Sequence, residues 1–361
     1  MRNFSFRSFS FRSFLVAVFL AALFCQPGVP CFGQSPAAPA LPDAAKPAPT
    51  LADAQQKLEH GRTEDAIAIL QQLATAQPPI KGVNRELAIA FYRTGKLTEA
   101  ERTFAKAMAE DPSDIESVQL RGLTLYRMGQ PAAAIPYLEK VRQWTPNANA
   151  DANYVLGLCY MNSQHYDQAR GAFAAQYGVA QDSGAAYLLL AGMLLRADLP
   201  ELAAENAQKA LTVSPTLPLA HFKLGEVFLF KSDIPHALEQ FEQERELNPA
   251  YPPVYDRLGD AYTRSGQYQK AQEVLTKAIS LDMSSTGPFI QLGKVFLRRN
   301  DPQSAVLYLQ HAEKMDPSNT MTHTLLGQAY RSLGREADAK RELEATSKIN
   351  SANQLKLQNI E

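Results

Sequence analysis

The sequence predicts an all-α fold, an α-solenoid of antiparallel helix pairs, over residues 50–361. Three observations predict it: a motif recurring every 34 residues, columns that alternate tiny with large apolar residues, and turn residues at each half-repeat. Length alone, 361 residues, would suggest two or three ordinary domains. A content of 45% hydrophobic and 20% charged residues supplies a core and excludes global disorder. Lys plus Arg number 36 against 37 Asp plus Glu, so the net charge is -1 and no basic excess invites nucleic acid. Three cysteines are too few for a disulfide scaffold. Alanine is the one excess, 53 residues, which suits close helix crossings.

Residues 1–33 read as a signal peptide. Arg2, Arg7 and Arg12 form a basic head without acids, and an apolar run of 11 residues extends from Phe14 to Phe24. At about 1.5 Å per residue that run is short for a hydrocarbon core of roughly 30 Å. Cys31 and Gly33 bracket Phe32, so cleavage after Gly33 is expected. An uncleaved anchor is one alternative. Lipidation at Cys25 is another, and the bulky Phe24 before it argues against it. Removal of the leader takes away three arginines and no acid, which moves the net charge from -1 to -4 and leaves Cys159 alone. Export to a periplasmic or extracellular location is therefore expected. Residues 34–49 form a Pro/Ala-rich linker, read either as a semi-rigid tether or as a disordered tail.

From Pro47 onward nine units follow, beginning near Pro47, Lys81, Ile115, Ala150, Gly184, Pro218, Pro252, Thr286 and Thr320. The eighth position of each is tiny: Ala54, Ala88, Gly122, Gly157, Ala191, Gly225, Gly259, Gly293, Gly327. Twelve residues later stands alanine in every unit, from Ala66 to Ala339. Helices approach closely only where neither carries much beyond a methyl group. Four residues after each alanine comes a large apolar residue, such as Phe104, Phe173, Phe241 or Leu275, with Ala207 the undersized exception. The i, i+3, i+4 spacing marks each half-unit as an amphipathic helix. Gly61, Gly95, Gly129 and Gly266 mark turns between halves, and prolines such as Pro112, Pro249 and Pro317 close six units. Unit one carries Thr50, Asp53 and Lys57 and reads as a polar cap; after Asn350, Leu355, Leu357 and Ile360 read as the start of a tenth first helix.

These columns resemble the tetratricopeptide repeat family, whose pattern is W-x₂-L-G-x₂-Y, then A-x₃-F, then P. The tryptophan position departs from that pattern, being filled by Asn84, Val118, Asn153, Tyr187, His221, Tyr255, Phe289 and His323. The resemblance implies a right-handed superhelix of antiparallel helix pairs whose first helices line a concave groove. It would place Tyr154, Leu158, Met161, Leu188, Leu195, Phe222, Leu229 and Phe230 on the middle of that face. Arg85, Tyr92 and Arg127 would precede them; Asp256, Asp260, Lys294 and Arg298 would follow. The groove is thus expected to be apolar at its centre and charged at its ends, suited to an amphipathic or apolar segment of a protein or peptide partner. Burial of some of these residues between units is the alternative. Family members that clamp a C-terminal carboxylate use Lys and, four residues on, Asn. Arg85/Ile89, Tyr154/Leu158 and Asp256/Asp260 do not match, so no such clamp is expected.

Catalytic motifs are absent: no phosphate-binding loop, dinucleotide turn, nucleophile elbow or H-E-x-x-H helix occurs. Six scattered histidines show no ligand spacing along one helix, and His221 and His323 are read as packing residues in the tryptophan column. Cys159 is read as a small apolar filler. No enzyme activity, cofactor, metal, nucleic acid or membrane span after leader removal is expected. The reading is an exported interaction scaffold, with a periplasmic holdase or secretion accessory and a self-associating architectural protein as its rivals.

Overall fold

The computed structural model describes residues 48–145 and 150–358, of which Pro49 onward forms one compact unit. The expected leader at 1–33, and the linker up to residue 47, lie outside the described residues. Eighteen helices and no strand occur among the described residues. They run in pairs: α1 (Leu51–Glu59) with α2 (Thr63–Leu73), α3 (Val83–Arg93) with α4 (Leu97–Glu110), and α5 (Ile115–Arg127) with α6 (Pro131–Trp144). Next come α7 (Ala150–Asn162) with α8 (Tyr166–Gln176), α9 (Gly184–Arg196) with α10 (Pro200–Val213), and α11 (Ala220–Phe230) with α12 (Ile234–Leu247). The last third holds α13 (Pro252–Arg264) with α14 (Tyr268–Leu281), α15 (Gly287–Arg298) with α16 (Pro302–Met315), and α17 (Thr320–Ser332) with α18 (Glu336–Gln358).

The crossing columns do the packing the sequence assigned to them. A methyl group on Gly259 would stand 2.3 Å from Leu275, and one on Gly225 would stand 2.6 Å from the Phe241 ring. Only hydrogen fits there, so the partner side chain lies flat on helix backbone. The second-helix alanines Ala66, Ala100, Ala134, Ala169, Ala203, Ala237, Ala271 and Ala305 have no exposed surface. Each pair reverses through the fifteenth position of its unit, always in the left-handed region: Gly61, Gly95, Gly129, Gln164, Asp198, Ser232, Gly266, Asn300 and Gly334. The next amide then bonds back to the first helix, as in His165 N–H to the Tyr160 carbonyl at 2.8 Å.

Among the described residues successive helices pack on each other and first helices of neighbouring units also touch, whereas second helices pack mainly on their sequence neighbours. First helices therefore form the crowded inner layer of the curve and second helices the outer one. Between α7 and α9 direct contact among described residues is sparsest. Among the described residues no tenth first helix begins after Asn350; Ile360 lies outside them. The helix α18 runs unbroken for 23 residues, because Ser351 stands where six other units carry the proline that stops them. Leu343 on this helix is 42% exposed among the described residues, in a column otherwise buried.

Candidate functional site

Where α7 and α9 separate, a cavity of about 570 Å³ opens on the first-helix side of units four to six. Tyr154, Leu188 and Phe222 line it, one from the fifth position of each unit, together with Leu189, Tyr177 and Leu219. Gly192 forms part of the wall, and a methyl group added there would meet only Lys223 Cε at 3.9 Å. Arg196 and Lys223 give the otherwise apolar wall its charges. Aromatic packing fixes its shape. The Tyr154 ring lies 6.0 Å from Phe173, and Phe222 is wedged between Phe241 at 5.7 Å and Tyr251 at 5.5 Å.

Leu219 enters this wall with φ at 67°, a conformation rare for a large residue. Glu244 holds it there. Its Oε1 accepts the Leu219 N–H at 3.0 Å and its Oε2 the Phe222 N–H at 3.1 Å, while Asn248 Nδ2 donates to Oε1. Glu244 has no exposed surface, and its carboxylate caps the positive end of α11. It occupies a column that carries Ala210, Ala278 and Ala312 elsewhere. Sequence reasoning missed both Gly192 and Glu244; the column of Glu244 holds Leu73, Val141, Gln176 and Thr346 as well as alanines, so it offered no clear signal.

The other expected groove residues scatter. Met161 and Leu229 are buried, 5% and 8% exposed, and do not line an open surface. Both occupy the twelfth position, which helix twist turns into interhelical cores: Met161 packs with Phe173 and Leu229 with the core of unit seven. Leu158 and Leu195 are half-buried against the same core as Met161, and Phe230 is exposed outside the cavity. Phe222 is itself 8% exposed, presenting only one edge to the cavity.

Toward the N-terminus, Arg127 stacks 4.6 Å over the half-buried Tyr92 ring and donates to the Tyr92 carbonyl at 3.1 Å. Arg85 lies in a smaller charged cavity of about 310 Å³ with Lys81, Glu110 and Asp114, its Nη2 3.4 Å from Glu86. Toward the C-terminus, Asp256 accepts from Gln291 Nε2 at 2.7 Å, and burial raises its pKa above the usual value of 3.8. Asp260 stands 4.0 Å from Arg264; Lys294 is half-buried and Arg298 exposed. Cys159 is buried, which pushes its thiol up to about 12. It is not a thiolate near neutrality. His221 bonds Gln240 Oε1 at 2.8 Å within its helix pair.

A solenoid of helix pairs with a recessed apolar wall on its inner layer is the architecture of a protein–protein interaction scaffold. Models of the tetratricopeptide repeat match residues 57–123, 125–194, 252–285 and 290–350. The chain belongs to the tetratricopeptide repeat family. It is 24% identical over 201 residues to a "DnaJ homolog subfamily C member 3 homolog" of Dictyostelium discoideum, covering 51% of this chain and 39% of that protein. Among solved structures it is similar to the APC/C hetero-tetramer Cut9–Hcn1, at 20% identity over 77% of this chain and 55% of that one, with a TM-score of 0.43. Yeast Tom70 gives 11% identity over 86% and 93% of the two chains, with a TM-score of 0.41. The chain thus spans well under two thirds of the curated relative and of Cut9–Hcn1.

Proposed function

We propose that this scaffold is exported and holds an apolar segment of a protein partner in the cavity between α7, α9 and α11, in the service of envelope complex assembly. The observation that carries the reading is the cavity itself: about 570 Å³, mostly apolar, and opening where contact between α7 and α9 is sparse. Desolvating such a wall against a partner's apolar side chains is favourable at about 25 cal/mol per Å². The basic head and the Phe14–Phe24 run support export.

Gly192→Leu tests the site without unfolding it. The position is open, and replacing a mid-helix glycine favours the helix. Affinity capture from an envelope fraction, read by mass spectrometry, is expected to lose its specific partners in the variant while Tm holds or rises. Recovery of the same partners with the cavity filled would overturn the reading. Phe222→Asp is the poorer tool, since it places a charge against Phe241 and Tyr251. A holdase activity is favoured by the unselective apolar wall; suppression of aggregation of a non-client protein measures it. Self-association is favoured by the exposed Leu343 of α18, and light scattering over a concentration series measures that.

A further inference from the structure

At the last junction of the solenoid three donor side chains from three helices converge: Glu313 of α16, His323 of α17 and Glu342 of α18. His323 Nδ1 lies 2.8 Å from Glu342 Oε2 and 4.0 Å from Glu313 Oε1, and the donor atoms all lie within 4.8 Å of one another. The side chains of His323 and Glu342 are 7% and 5% exposed, that of Glu313 36%. On the far side of the ring, Nε2 lies 2.9 Å from the Pro317 carbonyl oxygen. A carbonyl oxygen only accepts, so Nε2 carries the hydrogen and Nδ1 is the nitrogen turned toward both carboxylates. A neutral ring would then aim a lone pair at two anions. Something positive belongs between them.

Packing alone does not call for this grouping. The three residues occupy the fourth and twenty-third positions of one unit and the twenty-eighth of the unit before. At the other C-terminal junctions those positions hold His221, Gln240 and Leu211; Tyr255, Val274 and Arg245; and Phe289, Tyr308 and Ile279. Tyr255 closes the same corner with one hydrogen bond, from Oη to the Pro249 carbonyl at 2.7 Å. The last junction keeps that bond through Nε2 and adds two carboxylates on the other face of the ring.

We propose that Glu313, His323 and Glu342 form a binding site for a divalent transition-metal ion, with Nδ1 and one oxygen from each carboxylate as ligands. One imidazole and two carboxylates are a donor set that zinc accepts, leaving a fourth position for water. The donor separations bracket the roughly 3.3 Å that tetrahedral bonds of 2.0–2.1 Å require. The Nε2–H bond to Pro317 is the outer contact that fixes such a ligand's tautomer and orientation. A divalent ion also neutralises both carboxylates, where one proton balances a single charge. Arg341, 3.4 Å from Glu342 Oε1, is shared with Asp338 at 2.9 Å. Bound metal would tie α18 to the two helices before it.

The test is isothermal titration of the full chain with Zn²⁺ alone. One saturable site is expected, weakened at least about tenfold in Glu313→Gln and lost in His323→Gln. Glu313 is partly exposed and stands 4.0 Å from the ring, so its variant is expected to keep wild-type helicity by circular dichroism. Absence of saturable binding to the wild type, the result if the site holds a proton only, would overturn the proposal. Unchanged affinity in both variants would overturn it equally, because the metal would then sit elsewhere.

Discussion

In units four to six the fifth position of each repeat carries Tyr154, Leu188 and Phe222; in units seven to nine it carries Asp256, Ile290 and Thr324. The first set walls a cavity; of the second, Asp256 is bridged by a side chain from the next first helix, and Thr324 bonds the Thr320 carbonyl of its own helix. Gln291 reaches Asp256, and Arg264 reaches back to the Leu229 carbonyl at 3.0 Å and Ser232 Oγ at 2.9 Å. The turns differ too. Gln164, Asp198 and Ser232 take the left-handed conformation in three consecutive units, whereas units seven and nine use Gly266 and Gly334. Steric columns are common to both regions, so the freely varying positions decide whether the inner face is open or bridged. In the middle, backbone strain and the open wall occur together.

The largest expected effect probes the strained lip of the cavity. Glu244→Ala leaves the Leu219 and Phe222 amides without their acceptor, and a loss of about 3 kcal/mol in urea unfolding is expected. Next comes the crossing column. Gly225→Ala drives a methyl into Phe241 and is expected to cost about 2 kcal/mol. Gly327→Ala, whose nearest neighbour is Leu343 Cγ at 3.5 Å, is expected to be neutral or stabilising by up to about 1 kcal/mol. Equal losses at the two sites would erase the distinction between interior and end.

The turns give a smaller effect of opposite sign in the two regions. Gln164→Gly is expected to raise stability by about 1 kcal/mol and Gly266→Ser to lower it by as much, both read as shifts in urea midpoint. The smallest effect belongs to Asp256. Its folded pKa is raised by burial, so protonation favours the fold. That contribution is fully present below the ordinary value of 3.8 and is lost as pH rises through the raised one. Asp256→Asn is therefore expected to raise Tm slightly at pH 7 and to match wild type in acid. A gap that persists in acid would assign the effect to packing.

Much of this was legible in one sequence because the crossing columns obey sterics alone. Nine tiny residues and nine alanines in register leave one arrangement for each helix pair, and Gly259 against Leu275 shows why. The turn column was half legible: glycine marks five turns, but Gln164, Asp198, Ser232 and Asn300 reach the same φ under the pull of hydrogen bonds invisible in sequence. Tyr154, Leu188 and Phe222 share the fifth position, and the structure places all three along one cavity. Met161 and Leu229 were misplaced because helix twist turns the twelfth position into the core. Glu244 escaped because a carboxylate in a run of polar residues reads as solvated until a helix end is seen beside it. Glu313, His323 and Glu342 escaped because three helices, not one, bring them together.

The linear order of contacts has a consequence for how such a chain can change. Among the described residues the main contacts of each unit are with its immediate neighbours, so a whole 34-residue unit can be added or removed by duplication or deletion with little change to any other interior. One trace of that latitude is visible. Gly122 and Gly157 are 35 residues apart where every other step is 34, and the extra residue falls within or beside the 146–150 junction. Length is thus adjustable in quanta, and single-residue errors are absorbed between units.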